Sequence, residues 1–254
     1  MKREAGLLLI CLSRTWGWTV LPTIKVEPAL AQSLDYRGFV AKTQPLAWIP
    51  RVASKELVDE LRQDLLALQA AGYGGPAGTV DPSENVRLGV HQIWLDQKSP
   101  ALCGRLDARN ALALVVRGLE HDLHTSFRLN GRVELSYLQY RPGCYYHKHI
   151  DTMRDRGGND ESRAVSFILY LGSGEDGDIS EWNLDRDGGS LRIHGSENFT
   201  WLRGREFVRF SDESFVDLVP QPGSLLLFCS ETIPHEVCLT MRSRACVVGW
   251  FWKS

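Results

Sequence analysis

From residue 131 to residue 252 the chain is divided into short apolar runs by turn-forming residues, and this pattern restricts what it can fold into. The runs are 133–140, 164–171, 190–194, 207–210, 215–219, 224–229, 235–240 and 245–252. Asn130-Gly131, Pro142-Gly143, Gly157-Gly158, Gly188-Gly189 and Pro222-Gly223 punctuate them. Glycine supplies positive φ and proline presets a negative one, so such pairs mark turns. Eight short strands at this spacing read as a sandwich or barrel.

Helical spacing comes earlier in the chain. Ser54 is an N-cap residue, and Leu57, Leu61, Leu65 and Leu68 follow as one apolar stripe that ends at Gly72, Gly74 and Gly75. A second stripe, Leu112, Val115, Leu119 and Leu123, lies in a helix expected from about 107 to 127. Core packing accounts for both, so two or three helices are expected to brace one sheet from outside. The expected organisation is an extension over 1–31 and one domain over 32–254. Within that domain, 32–130 is helical support and 131–254 the β core.

Residues 1–31 are set apart because they resemble a targeting segment in part. Lys2 and Arg3 precede an apolar run to Leu12, and Ala29-Leu30-Ala31 has the form of a cleavage site. Arg14, Lys25 and Glu27 argue against that reading. The cytoplasm is the expected compartment, or an exported or organellar one if 1–31 is cleaved. Apolar residues at 43% and charged residues at 24% argue for a packed core rather than disorder. A formal charge of −2 gives no basic excess for nucleic acid, and no run reaches the ~18 apolar residues of a membrane span. Six cysteines contain no CxxC pair, which disfavours structural zinc and suits mostly reduced thiols. The acids Glu175, Asp176, Asp178, Glu181, Asp185 and Asp187 read as a solvated loop, with a lid or a docking surface as the alternative. Arg192, Arg203, Arg205 and Arg209 read as outward strand charges.

The chemistry concentrates in two stretches. In Tyr140-Arg-Pro-Gly143-Cys-Tyr-Tyr146-His-Lys-His149-Ile-Asp151, an extended chain would aim His149 and Asp151 the same way. An imidazole and a carboxylate can share a metal there, and a third ligand from another strand would complete a two-histidine, one-carboxylate Fe(II) site. By the same geometry His147 would share that face and is a rival ligand. The second stretch, from Pro234-His235 to Arg244, places a guanidinium on the returning strand. A buried arginine requires an anionic ligand or a partner acid.

Together these stretches resemble the Fe(II)/2-oxoglutarate-dependent oxygenases, in the prolyl 4-hydroxylase branch of oxygen-sensing enzymes and bacterial relatives. Tyr140, Gly143, Tyr146, His149 and Asp151 meet the pattern Tyr-x-x-Gly-x-x-Tyr-x-x-His-x-Asp. The segment from Arg163 to Leu171, Gly188-Gly189-Ser-Leu191 and the stretch from Pro234 to Trp252 resemble further family motifs. Weaker similarity runs back through Trp94 and Arg87 to about Gly38.

The likeness implies a mainly β fold with flanking helices, a double-stranded β-helix (jelly roll, cupin-like). It implies Fe(II) on His149, Asp151 and His235, with 2-oxoglutarate and O₂ as cosubstrates and ascorbate as reductant. Arg244 and Tyr170 would take the distal carboxylate of 2-oxoglutarate, and Tyr140 would line its pocket. Arg163, Trp250 and Arg87 match positions near the peptide substrate. The expected partner is a proline-containing protein or peptide. Asp151 favours hydroxylation, because related halogenases lack the carboxylate. One departure stands out: the acid expected two residues after Arg87 is Gly89 here. A hydroxylase of a free amino acid or small molecule, and a catalytically silent cupin-like binding module, are the alternatives.

Overall fold

The computed structural model describes residues 33–77, 87–95, 104–151, 161–173, 181–210 and 214–254. The 1–31 extension, Cys11, Cys103, Gly157-Gly158 and the acids Glu175, Asp176 and Asp178 lie outside them. In chain order the elements are α1 (Leu34–Val40), β1 (Leu46–Ile49), α2 (Lys55–Ala70), β2 (Gly75–Pro76), β3 (Arg87–Trp94) and α3 (Leu106–Phe127). They continue with β4 (Leu129–His149), β5 (Ser162–Gly172), α4 (Leu184–Asp187), β6 (Leu191–His194) and a 3₁₀ segment (Ser196–Leu202). The last are β7 (Val208–Phe210), β8 (Phe215–Leu218), β9 (Leu225–Cys229), β10 (His235–Val237) and β11 (Arg244–Lys253).

Ser54 caps α2 as expected, its hydroxyl accepting the Leu57 amide at 3.3 Å. Leu57, Leu61, Leu65 and Leu68 are all buried, as are Leu112, Leu119 and Leu123 of α3. Both stripes pack on the outward face of β5, β9 and β11, through Phe167, Leu169, Leu225, Val247 and Phe251. Burying each leucine contributes about 1.5–3 kcal/mol. No side chain of its own caps α3; the Asp64 carboxylate of α2 reaches across to accept the Arg105 amide. The stretch expected to be helical support also holds β1, β2 and β3. All four residues of β1 are buried, so it shows no alternation to read.

The strands form one curled antiparallel sheet in the order β1-β9-β5-β11-β4-β10-β6-β8-β7, with β3 beside β4 and β2 on β3. β4 joins the two halves. Its residues 129–140 pair with β11, and its far end, 146–149, pairs with β10. The curl encloses a second core of Leu138, Tyr140, Ile168, Tyr170, Leu226, Phe228, Cys246 and Val248. β5 and β11 thus have helices on one face and the interior of the curl on the other, and they are buried almost throughout. The architecture is the expected jelly roll with bracing helices.

Pro142-Gly143 is not a turn between strands. β4 runs through it as a wide bulge: Leu88 pairs with Tyr145 and Val90 with Tyr140, leaving 141–144 opposite Gly89 alone. The Gly143 amide donates to the Thr240 carbonyl at 2.7 Å, and the Thr240 amide to the Cys144 carbonyl at 2.9 Å, so the bulge is pinned. Gly89 itself has φ +65°, and a Cβ there would lie 2.5 Å from Cys144 Sγ. The missing acid at this position therefore has a backbone cause.

Among the described residues, several acids and arginines of the second half are paired rather than merely solvated. Asp187 is 3% exposed, accepts the Asn183 amide and pairs with Arg186. Arg192 makes two hydrogen bonds to Asp217, Arg209 holds Asp185, and Arg205 reaches the buried Asp35.

Candidate active site

Three potential ligands meet where the two halves of the curl adjoin. His149 ends β4, Asp151 follows it by two residues, and His235 opens β10 directly opposite His149. Their ligand atoms all lie within 4.8 Å of one another, the one such cluster among the described residues. His149 Nε2 is 3.5 Å from Asp151 Oδ1, and His235 Nε2 is 3.9 Å from Asp151 Oδ2.

A second bulge builds this arrangement. His235 pairs with His149 but Val237 pairs with Tyr146, so β4 carries one extra residue across this interval. The insertion reverses the alternation. His149 stacks on Tyr146 at 3.7 Å, while the exposed His147 lies against Tyr145 at 4.7 Å. The expectation that His147 shares a face with His149 is thereby corrected.

The histidines are oriented for a cation. His149 Nδ1 lies 2.7 Å from the His147 carbonyl oxygen, and His235 Nδ1 lies 2.9 Å from that of Ile233. A carbonyl only accepts, so each Nδ1 carries the hydrogen and each Nε2 keeps a lone pair for metal. Burial lowers the His235 pKa to about 4, despite the neighbouring Asp151, which keeps the ring neutral at pH 7. For Asp151, burial raises the pKa, but His235, His149 and the Ser166 hydroxyl outweigh it and hold the carboxyl below its ordinary range.

Alternate residues of β11 run along the inside of the curl: Arg244, Cys246, Val248 and Trp250. Arg244 is 1% exposed, and its Nε and Nη1 have no hydrogen-bond partner. Its guanidinium lies 5.0 Å from the Tyr140 ring and 5.2 Å from that of Tyr170. The Tyr170 hydroxyl is likewise buried and unpartnered, and burial pushes its pKa up, so it remains a donor. Two unpaired guanidinium donors beside an unpaired phenol make a site for an anion. Trp48 of β1, which the sequence did not single out, packs edge-on against Tyr170 at 5.8 Å, and its buried indole N–H is also unpartnered.

Trp250, at the other end of the strip, donates its indole N–H to Asp151 Oδ2 at 3.0 Å. Arg163 stacks on Trp250 at 3.8 Å and directs Nε and Nη2 to Glu134 at 2.9 and 2.5 Å. Arg163 is thus 7% exposed and anchored internally. Trp94, 44% exposed, lies 6.0 Å from Trp250 and brings this aromatic group to the surface. Arg87 lies on β3 opposite Tyr146 in register.

The sequence pattern of the 2OG-Fe(II) oxygenase superfamily matches residues 135–252. No curated protein sequence matches the chain. Among solved structures, a prolyl-4-hydroxylase from Pseudomonas putida is 24% identical, with a TM-score of 0.62 over 90% of this chain and 99% of the other. A prolyl hydroxylase from Trichoplax adhaerens, in complex with a hypoxia inducible factor peptide fragment, is 21% identical, with a TM-score of 0.60 over 89% and 88%. A prolyl 4-hydroxylase from Phytophthora capsici is 16% identical, with a TM-score of 0.59 over 92% and 68%. The family implies Fe(II), 2-oxoglutarate and O₂. The residues fit the first two: a pre-oriented histidine pair with a carboxylate for the metal, and a buried unpaired guanidinium for an anion. Residues 135–252 carry the 2OG-Fe(II) oxygenase pattern, which together with the jelly-roll fold shared with these prolyl hydroxylases marks a 2-oxoglutarate-dependent dioxygenase.

Proposed function

We propose that the chain hydroxylates proline in a protein or peptide. One oxygen atom of O₂ goes to the substrate and the other to succinate, as 2-oxoglutarate loses CO₂. The observation that carries the reading is Arg244, a buried cation with unpaired donors on the inward face that also bears the ligand cluster. The prolyl assignment is supported by the likeness in fold to the Pseudomonas and Trichoplax enzymes over most of both chains.

In this reading His149, Asp151 and His235 hold Fe(II), which supplies the redox chemistry when bound. Arg244 takes the distal carboxylate of 2-oxoglutarate and Tyr170 donates a further hydrogen bond to it. Tyr140 walls the same pocket. These contacts fix the cosubstrate's orientation before any substrate arrives. The half-exposed Trp94, backed by the buried Trp250, offers aromatic surface to a prolyl ring. Arg163 keeps that surface in place through Glu134, and Arg87 stands on the neighbouring strand. Ascorbate serves as the reductant that returns iron to Fe(II).

The test is succinate formation from 2-oxoglutarate by purified protein with Fe(II) and ascorbate, with and without a pool of proline-rich peptides. Iron-dependent turnover, absent in His149→Ala and Arg244→Ala and stimulated by the peptides, is expected. Turnover that no proline-containing peptide stimulates but a free amino acid does would overturn the prolyl assignment. No turnover from iron-loaded protein under any condition would point to a binding module.

A further inference from the structure

The hydrogen bonds around Asp151 are asymmetric. Ser166 Oγ donates to Oδ2 at 2.7 Å, and Trp250 Nε1 donates to the same oxygen at 3.0 Å. Ser166 lies on the inward face of β5 and is fully buried, as is Ser230 just beyond β9. The two hydroxyls are 2.8 Å apart. A carboxylate in this setting only accepts, so the Ser166 hydrogen is committed to Asp151. Ser166 must then accept from Ser230, which gives the relay a fixed direction from Ser230 through Ser166 to Asp151.

A carboxylate oxygen has about two lone-pair directions in its plane, and both of those on Oδ2 are occupied. Oδ1, which neither donor occupies, lies 3.5 Å from His149 Nε2, while the doubly hydrogen-bonded Oδ2 lies 3.9 Å from His235 Nε2. The arginine stacked on Trp250 is diverted. Arg163 lies flat on Trp250 and spends Nε and Nη2 on Glu134. Both donors to Asp151 are therefore neutral. A guanidinium would offset the carboxylate's charge and weaken its hold on a cation, whereas a hydroxyl and an indole orient the carboxylate without neutralising it.

We propose that Ser166 and Trp250 are positioning residues that make Asp151 a one-oxygen metal ligand, with Ser230 and Arg163 holding those two in turn. This rests on the reading of His149, Asp151 and His235 as the iron site. Three protein atoms would then hold the ion, leaving its other positions to 2-oxoglutarate and O₂. With Oδ2 released, the carboxylate would be free to bind through both oxygens and take up one of those positions.

The experiment loads the protein with Mn(II), without cosubstrate, and reads two quantities: affinity by titration, and the number of exchangeable waters on the bound ion by water-proton relaxation. Wild type is expected to hold three such waters. Ser166→Ala and Trp250→Phe, which keeps the ring and removes the N–H, are expected to weaken Mn(II) binding roughly 10- to 100-fold each. Both are expected to lower the bound-water count toward two, with the metal-free proteins still folded cooperatively though melting a few degrees below wild type. In the Ser166→Ala background, Ser230→Ala is expected to change neither quantity further. Wild-type affinity and water count in Ser166→Ala and Trp250→Phe would overturn the proposal. His149→Ala and Asp151→Ala separate it from the underlying assignment: if these two also bind Mn(II) like wild type, the metal-site reading itself fails.

Discussion

Replacing Arg244 with methionine should move stability and cosubstrate binding in opposite directions. The guanidinium is 1% exposed, with Nε and Nη1 unpaired, so the ligand-free protein carries a buried cation without its counter-charge. Leaving a buried polar group unsatisfied costs about 1–3 kcal/mol. Exchanging buried ions for apolar groups of similar volume often stabilises a protein by about 1–4 kcal/mol. Methionine fills most of the same channel with a flexible apolar chain. At about 2–4 °C per kcal/mol for a chain of this size, Arg244→Met without ligand should melt several degrees above wild type. The ligand reverses the order. With Mn(II) present and 2-oxoglutarate at a hundred times its wild-type Kd, wild type should gain about 2.7 kcal/mol. Losing one side of a buried charge pair costs about 3–5 kcal/mol, which raises Kd at least a hundredfold. The variant should then gain less than about 0.5 kcal/mol at the same concentration. Thermal melts of both proteins with and without 2-oxoglutarate read all four states. An Arg244→Met protein that melts well below wild type without ligand, or that 2-oxoglutarate stabilises as much as wild type, would refute the reasoning.

Three further outcomes follow from buried groups and the bulge. Cys246 has its thiol pKa pushed up to about 11 by burial, only partly offset by Arg244, so about one thiol in a thousand ionises at pH 8; in native protein it should resist alkylation at that pH, as peptide mapping would show. Gly89→Asp should lower stability by about 1–2 kcal/mol from the positive φ alone, and more from the clash with Cys144 Sγ; urea titration should find the clash component relieved in a Cys144→Ala background. Asp64 is fully buried, and burial raises its pKa against the pull of the Arg105 amide, Arg109 and Tyr137. An acid raised in the fold contributes stability that is present below its ordinary value and lost as pH rises through the folded value. Asp64→Asn should therefore gain on wild type as pH rises above about 4, and a flat difference in urea midpoints would contradict this.

What could be read in advance divides along periodicity. The stripes of α2 and α3 and the apolar runs of β5, β9 and β11 repeat regularly, and each appears near its expected position. β1 escaped because both of its faces are covered, which erases the alternation that marks a half-buried strand. β4 was cut short because Pro142-Gly143 is turn chemistry in sequence, and only the hydrogen bonds to Thr240 keep the chain in the sheet across it. The ligand cluster was legible through its motif, while the reason His149 points inward and His147 does not is a bulge that only the pairing with β10 reveals. Trp250 and Arg163 stood out in the sequence as residues expected near a substrate. Their ties to Asp151 and Glu134 depend on strands far apart in sequence, which no local pattern encodes.

The course of β4 has a consequence for what the pocket admits. Tyr140 and His149 stand nine positions apart on it, and His235 and Arg244 stand nine positions apart on the opposing segment. Arg244 is in register with Tyr140, and His235 with His149. The four form a closed frame with the proposed anion clamp at one corner pair and the candidate metal ligands at the other. The 141–144 bulge and the 238–243 turn are its two sides, laced together at Thr240. Such a frame would act as a ruler for the cosubstrate: a 2-oxoacid one carbon shorter or longer than 2-oxoglutarate is expected to bind more weakly, and adding or removing one residue in either side alone would reset the gauge.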